Sequence, residues 1–166
     1  MSNTFFIADL HLGHTNIIKY CNRPFETVEE MDETIIKNWN SVVKEGDVVY
    51  LLGDFCFHKN PQEYLDRLNG EIRLIKGNHD KSKILKAFKD VSALITIKID
   101  DKIVVLCHYP MLTWDRARYG SIHLYGHIHN KIRKSEPNSY CVSVECIDYT
   151  PKTLKQILER KNNEKI

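Results

Sequence analysis

The sequence predicts one mixed α/β (α+β) domain over residues 1–166, a two-sheet β-sandwich flanked by helices. Three observations lead there. Short apolar runs alternate with amphipathic stretches through the first half, the pattern of a parallel sheet with crossover helices. The second half is rich in strand-like runs separated by turn residues. The chain has 166 residues, 42% hydrophobic and 28% charged, with no low-complexity tract or internal repeat, so a single core burying roughly 70% of the unfolded surface is expected.

Residues 4–8 form an apolar run long enough for a buried strand and too short for a helix, and the run ends at Asp9. A loop rich in His, Asn and Gly follows up to Phe25. Thr27-Val28-Glu29-Glu30 then reads as a capping box that opens a helix through residue 44, with Met31, Ile35, Trp39, Val42 and Val43 on one stripe. Gly46-Asp47 stops it, residues 48–52 form a second buried strand, and Gly53-Asp54 lies at its end. Residues 61–68 read as a short helix, 72–75 as a third strand leading to Gly77-Asn78-His79-Asp80, and 81–88 as another helix. Strands over 94–99 and 103–107 flank Asp100-Asp101, which resembles a two-residue hairpin turn. Further strands are expected over 122–125 and 140–146, and Thr150-Pro151 would cap a final helix through residue 160, with a frayed basic end reaching residue 165.

Lys and Arg total 24 against 22 Asp and Glu, a net charge of +2, too small for a protein that coats nucleic acid, so no stable nucleic-acid complex is expected. No stretch reaches ~18 apolar residues, and the first strand follows the N-terminus without a basic or long apolar leader. The expectation is a soluble, cytoplasmic protein away from membranes. The five cysteines are odd in number and never spaced C-x-x-C, so they read as reduced thiols. Cys107, Cys141 and Cys146 sit among strand-like residues and read as small buried hydrophobes.

The chemistry lies at the strand ends. Asp9, Asp54, Asn78 and His108 each follow an apolar run at once, and His127 and His129 follow another. Sheets with crossover helices gather ligand sites at the carboxyl ends of their strands, so these six converge on one edge. Extended backbone would place Asp9 with His11, and His127 with His129, on one face. A set of imidazole nitrogens with carboxylate and amide oxygens suits manganese, iron, zinc or nickel better than magnesium or calcium alone.

Asp9-Leu10-His11, Gly53-Asp54, Gly77-Asn78-His79-Asp80, His108 and Gly126-His127-Ile128-His129, in this order, resemble the calcineurin-like metallophosphoesterase family. The resemblance runs from Asp9 to His129 and implies that family's fold, two divalent metal ions and hydrolysis of phosphate esters. It implies that Asp9, His11, Asp54 and His129 hold one metal and that Asp54, Asn78, His108 and His127 hold the other, with Asp54 and a hydroxide bridging. His79 would stabilise charge or protonate the leaving oxygen. Asp80 is read either as its orienting partner or as a cap on the following helix. The protein serine/threonine phosphatase branch extends its Gly-Asp motif to Gly-Asp-x-x-Asp-Arg-Gly, whereas this chain reads Gly53-Asp54-Phe55-Cys56-Phe57-His58-Lys59, which argues against a phosphoprotein substrate. The stretch from Asp9 to Ile18, with Asn22-Arg23-Pro24-Phe25, resembles a compact bacterial and phage subgroup.

Five loop residues are candidates for substrate contact. His14, Asn16 and Arg23 lie beside the first ligands, where Arg23 would grip a phosphate in two-pronged fashion or merely brace the loop. Trp114 and Arg116 follow His108-Tyr109-Pro110, where a Trp could stack on a base, the plain alternative being a loop anchor with solvated arginines. His58 and His123 match no motif and read as structural or exposed. The expected substrate is a small phosphate ester, a nucleotide or other diester. The alternatives are a phosphomonoesterase of a small metabolite and a non-catalytic metal-binding scaffold.

Overall fold

The computed structural model describes residues 1–131 and 136–163, with the backbone alone over 161–163. Its first sheet has the order β4-β3-β2-β1-β9, built from β1 (Thr4–Ile7), β2 (Val48–Leu51), β3 (Glu71–Ile75), β4 (Val91–Ser92) and β9 (Lys152–Thr153). The first four are mutually parallel, and β9 runs antiparallel to β1. The second sheet has the order β5-β6-β7-β8, from β5 (Leu94–Ile99), β6 (Lys102–Cys107), β7 (Ile122–Tyr125) and β8 (Ser139–Cys141). Only its β5-β6 pair is antiparallel. Helices α1 (Thr15–Tyr20), α2 (Val28–Val42), α3 (Gln62–Leu65), α4 (Ser82–Leu85) and α5 (Leu154–Asn163) flank the sheets.

Phe5, Phe6 and Ile7 of the first strand are all apolar because both its faces are covered. Phe5 and Ile7 pack into a cluster with Met31, Ile35 and Trp39 of α2, while Phe6 and Ala8 pack with Leu106, Leu124 and Val142 on the second-sheet side. Burying each large aliphatic here contributes about 1.5–3 kcal/mol. Helices, first sheet and second sheet thus form successive layers, as the sequence predicts. Among the described residues no helix is long and apolar enough to cross a membrane.

Several boundaries differ from expectation, each for a visible reason. The helices expected over 61–68 and 81–88 shrink to Gln62–Leu65 and Ser82–Leu85, because the chain tightens into i→i−3 bonds such as Leu68 N to Leu65 O and Phe88 N to Leu85 O. At α2 the Glu30 amide donates to Thr27 Oγ1 as a capping box requires, yet the Glu30 carboxylate accepts from Glu26 N rather than from Thr27 N. The last helix is capped by Thr153 and Gln156, which exchange bonds of 2.9 and 3.4 Å, and not by Thr150-Pro151, because residues 152–153 first pair with β1. It runs on to Asn163 where a frayed end was expected after residue 160, and residues 164–165 of that end lie outside the described residues. The Asp100-Asp101 turn has φ of 48° and 65°, the left-handed pair that a type I′ hairpin requires.

The strand expected over 140–146 is only Ser139–Cys141, followed by a 3-10 turn at Val144–Cys146. The run is apolar because it is buried, but its partners change: Val142 N donates to Tyr125 O in the second sheet, then Ala8 N donates to Val142 O and Val144 N to Ala8 O in the first. This switch stitches the sheets together beside Asp9.

Candidate metal centre

All seven candidate ligands meet where the strand ends of both sheets converge. Asp9 follows β1, Asp54 follows β2, Asn78 follows β3, His108 follows β6, and His127 and His129 follow β7. Ligand atoms of Asp9, His11 and His129 lie within 4.8 Å of one another, as do those of Asp9, Asp54 and His108. Asp54 Oδ2 sits 3.5 Å from His11 Nε2 and 3.5 Å from His108 Nε2, which joins the two groups. Asn78 Oδ1 lies 2.9 Å from His108 Nε2 and 3.1 Å from His127 Nδ1.

The route to this convergence differs from the extended-backbone argument. Asp9, His11, Asp54, His127 and His129 all have φ between 51° and 69°, the left-handed region. Each such residue costs on the order of 1 kcal/mol or more, and clusters of them mark functional sites. Tight turns, not period-2 alternation, aim these side chains. Two glycines leave room for the buried carboxylates: a Cβ on Gly126 would come within 2.6 Å of Asp9 Oδ2, and one on Gly77 within 2.6 Å of Asp54 N.

The electrostatics are those of a site built for cations. Burial pushes the Asp9 carboxyl up to about 6 against the opposing charges of His129 and His108 and the Ser143 hydroxyl. Burial likewise drives His11 down to about 2, although Asp54 opposes it. Burial would raise Asp54, but contact with His108, the His79 amide and the charge of His11 hold it below the usual carboxylate range. Burial would lower His129, yet its bonds to Cys21 and Glu145 and the charge of Asp9 hold it up at about 10. Asp9 Oδ1 and both ring nitrogens of His11 are buried without a hydrogen-bond partner. Orphaned groups of this kind are costly, and a divalent cation is a partner that fits carboxylate oxygen and imidazole nitrogen together.

The remaining predicted residues divide. His79 is exposed at the mouth, its ring 5.6 Å from that of His11, and its amide donates to Asp54 Oδ1 at 2.9 Å. Asp80 neither orients its imidazole nor caps α4. It is buried, and its carboxylate accepts from Asp54 N, Phe55 N and Gly77 N at 2.8–3.0 Å, clamping two ligand loops together. Arg23 is a brace and not a phosphate grip: it is 4% exposed, and its guanidinium is spent on Glu145 and the carbonyls of Asp9 and Leu10. His14 stacks on Phe57 at 4.0 Å beside His11, whereas Asn16 is exposed on α1. Trp114 anchors its own loop through Nε1 to Ser121 and packs on His123, and Arg116 is exposed in a left-handed turn.

His58 is exposed, and His123 is buried between the carbonyls of Val105 and Tyr109. Cys141 and Cys146 are only partly buried, and both thiols donate to His129 O, so they do more than fill space. Sequence reasoning missed Ser143 and Glu145, which bond Asp9 and His129, although a carboxylate inside an apolar run was a signal. It also missed Phe57 and Tyr109, whose rings lie 5.4 Å from His11 and 4.8 Å from His127.

The chain is similar to an uncharacterized protein of Methanocaldococcus jannaschii, with 41% identity over 169 aligned residues that take in 96% of this chain and 91% of that protein. It is 30% identical to the gene 66 protein of Mycobacterium phage L5, over 78% of this chain and 79% of the phage protein. Among solved structures, a protein of unknown function from Aquifex aeolicus superposes with a TM-score of 0.76 over the full length of both chains, at 27% identity. The sequence profile of the calcineurin-like phosphoesterase superfamily domain matches residues 3–144, and the chain belongs to that superfamily.

Proposed function

We propose that the chain is a two-cation phosphodiesterase acting on nucleotide-type or similar small diesters. The observation that carries this reading is the position of Asp54 Oδ2, 3.5 Å from an imidazole nitrogen of each ligand group. Asp9, His11, Asp54 and His129 would hold one cation, and Asp54, Asn78, His108 and His127 the other, with manganese, iron, zinc or nickel suited to the donors. When bound, such a pair supplies an acidified water as nucleophile and positive charge against the phosphate oxygens. The chain's own residues do the rest. The His79 amide fixes Asp54 Oδ1, which leaves Oδ2 facing both groups. The water gives one proton to solvent and its oxygen bonds to phosphorus as the P–O bond to the leaving group breaks, while the exposed His79 imidazole, entering protonated, gives its proton to the departing oxygen.

The diester preference rests on two aromatic rings. Phe57 and Tyr109 are each 43% exposed, Phe57 beside His11 and His79 and Tyr109 beside His108 and His127. His14 already covers one face of Phe57, and the exposed remainder of that ring and the Tyr109 ring offer stacking surface for a base or aryl group carried by the second ester arm. Metal-stripped protein restored singly with Mn, Ni, Zn or Mg is expected to turn over bis(p-nitrophenyl) phosphate faster than p-nitrophenyl phosphate. Monoester-only turnover would instead make it a phosphatase of a small metabolite. Phe57→Ala is expected to raise KM roughly tenfold for thymidine p-nitrophenyl phosphate while sparing methyl p-nitrophenyl phosphate. Equal effects on both would remove the base-stacking argument.

A further inference from the structure

The structure assigns a positioning role to the buried pair Arg23 and Glu145: it aims His129 and the Asp9-His11 loop, and sets the cation affinity of that half of the centre alone. The inference rests on the ligand set proposed above.

Arg23 Nε and Nη2 approach Glu145 Oε1 at 2.9 and 2.8 Å, with side chains 0% and 4% exposed. The same guanidinium donates from Nη1 to Leu10 O at 2.8 Å and from Nη2 to Asp9 O at 2.7 Å, so it grips the backbone between two ligands. Glu145 Oε1 in turn lies 3.0 Å from His129 Nδ1. A carboxylate on one ring nitrogen fixes the rotation and tautomer of the imidazole and leaves Nε2 as the ligand atom. One guanidinium therefore ties together the three residues Asp9, His11 and His129 that form one ligand group. The hydrogen bonds of Asn78 and His127 run instead to His108, to each other and to Asp9, and none involves Arg23 or Glu145.

Stability alone is a poor reason for such a pair, since well-packed apolar residues often serve as well as a buried ion pair. Planarity is what the site uses: a lysine ammonium could not address two carbonyls and a carboxylate in one plane. Outer partners of metal-bound imidazoles typically alter affinity by about 10–100-fold when removed.

The test titrates Mn²⁺ into the metal-stripped full chain by calorimetry, with thermal melts in parallel. Removing one partner alone would strand a buried charge, so the informative variant is the double replacement Arg23→Met with Glu145→Leu. One cation equivalent is expected to weaken roughly 10–100-fold while the other is unchanged, in protein that still melts cooperatively. Arg23→Met with Glu145→Gln, which keeps an acceptor oxygen for His129 without stranding the guanidinium, is expected to recover part of that loss. Unchanged binding in the double variant, or an equal fall in both equivalents, overturns the assignment. If the wild-type chain takes up a single equivalent, the two-cation reading fails by itself, and the positioning role is then overturned unless that equivalent weakens in the double variant.

Discussion

The floor and the rim of the centre are built differently. Asp9, His11, Asp54 and His108 are buried, and three of them have left-handed backbone. Asn78, His79 and His127 stand exposed at the mouth. The floor stores desolvation and strain, which shift Asp9 up and His11 down and leave buried polar atoms without partners. The rim carries less of that burden: of its three residues only His127 has left-handed backbone, and the exposed His79 imidazole lies outside the proposed ligand set, where it can meet a substrate. The contrast teaches that the buried floor is shaped by its charges, whereas the rim completes the second ligand group and presents His79 to the ester.

The largest effect should come from the floor. Asp54→Asn removes the charge that both ligand groups share, and should weaken both cation equivalents together. A loss of several kcal/mol of transition-state stabilisation corresponds to roughly 10³-fold or more in kcat/KM. Calorimetric titration beside steady-state kinetics reads both quantities. If Asp54→Asn lost only one equivalent, the carboxylate would not be shared.

Two adjacent residues sharpen the comparison further. His79→Asn changes only an exposed ring and should lower kcat by about 10²-fold or more with metal binding and melting temperature retained. Asp80→Ala instead leaves three amides without their acceptor, at a cost of about 3 kcal/mol or more, which is roughly 6–12 °C in melting temperature. A thermal melt in the absence of metal separates the two. A His79 variant that melted early, or an Asp80 variant that did not, would reverse their assignments.

These neighbours also show what a sequence makes legible. The layers could be read because strands covered on two faces leave continuous apolar runs, and the ligand positions because polar residues end those runs. Which side chain touches which was not readable. Asp80 looks like a catalytic partner when placed beside His79 in sequence, but the chain turns and its carboxylate faces the backbone of Asp54. Arg23 looks like a phosphate grip until Glu145, 122 positions away, claims it. The apolar run at 140–146 reads as one strand because burial, not pairing, sets its composition. Local pattern reports burial and chemistry; the partner of a polar group depends on contacts far along the chain.

The smallest effect is in pH, and it reads His129 together with the floor. Ligands bind cations only after losing their protons. In the metal-free protein His129, held up at about 10, carries a proton throughout the neutral range and must release it. Burial would lower His108, but Asp54 and Asp9 hold it above the usual imidazole range, so it adds to this release, and Asp9, raised to about 6, adds another only below that pH. His11, held near 2, and His127, shifted down by burial, are already neutral at pH 7 and contribute none. Cation affinity should therefore rise with pH, by at least about tenfold per unit from roughly pH 6.5 to 8.5 and more steeply below 6. Calorimetry in two buffers of different ionisation enthalpy should detect at least one proton released on filling the centre at pH 7.5, and Arg23→Met with Glu145→Gln, which removes a charge that holds the His129 proton without stranding the guanidinium, should reduce that number. Affinity independent of pH across this range would mean that His129 is not a ligand, and the division between floor and rim would have to be redrawn around Asp9 and Asp54.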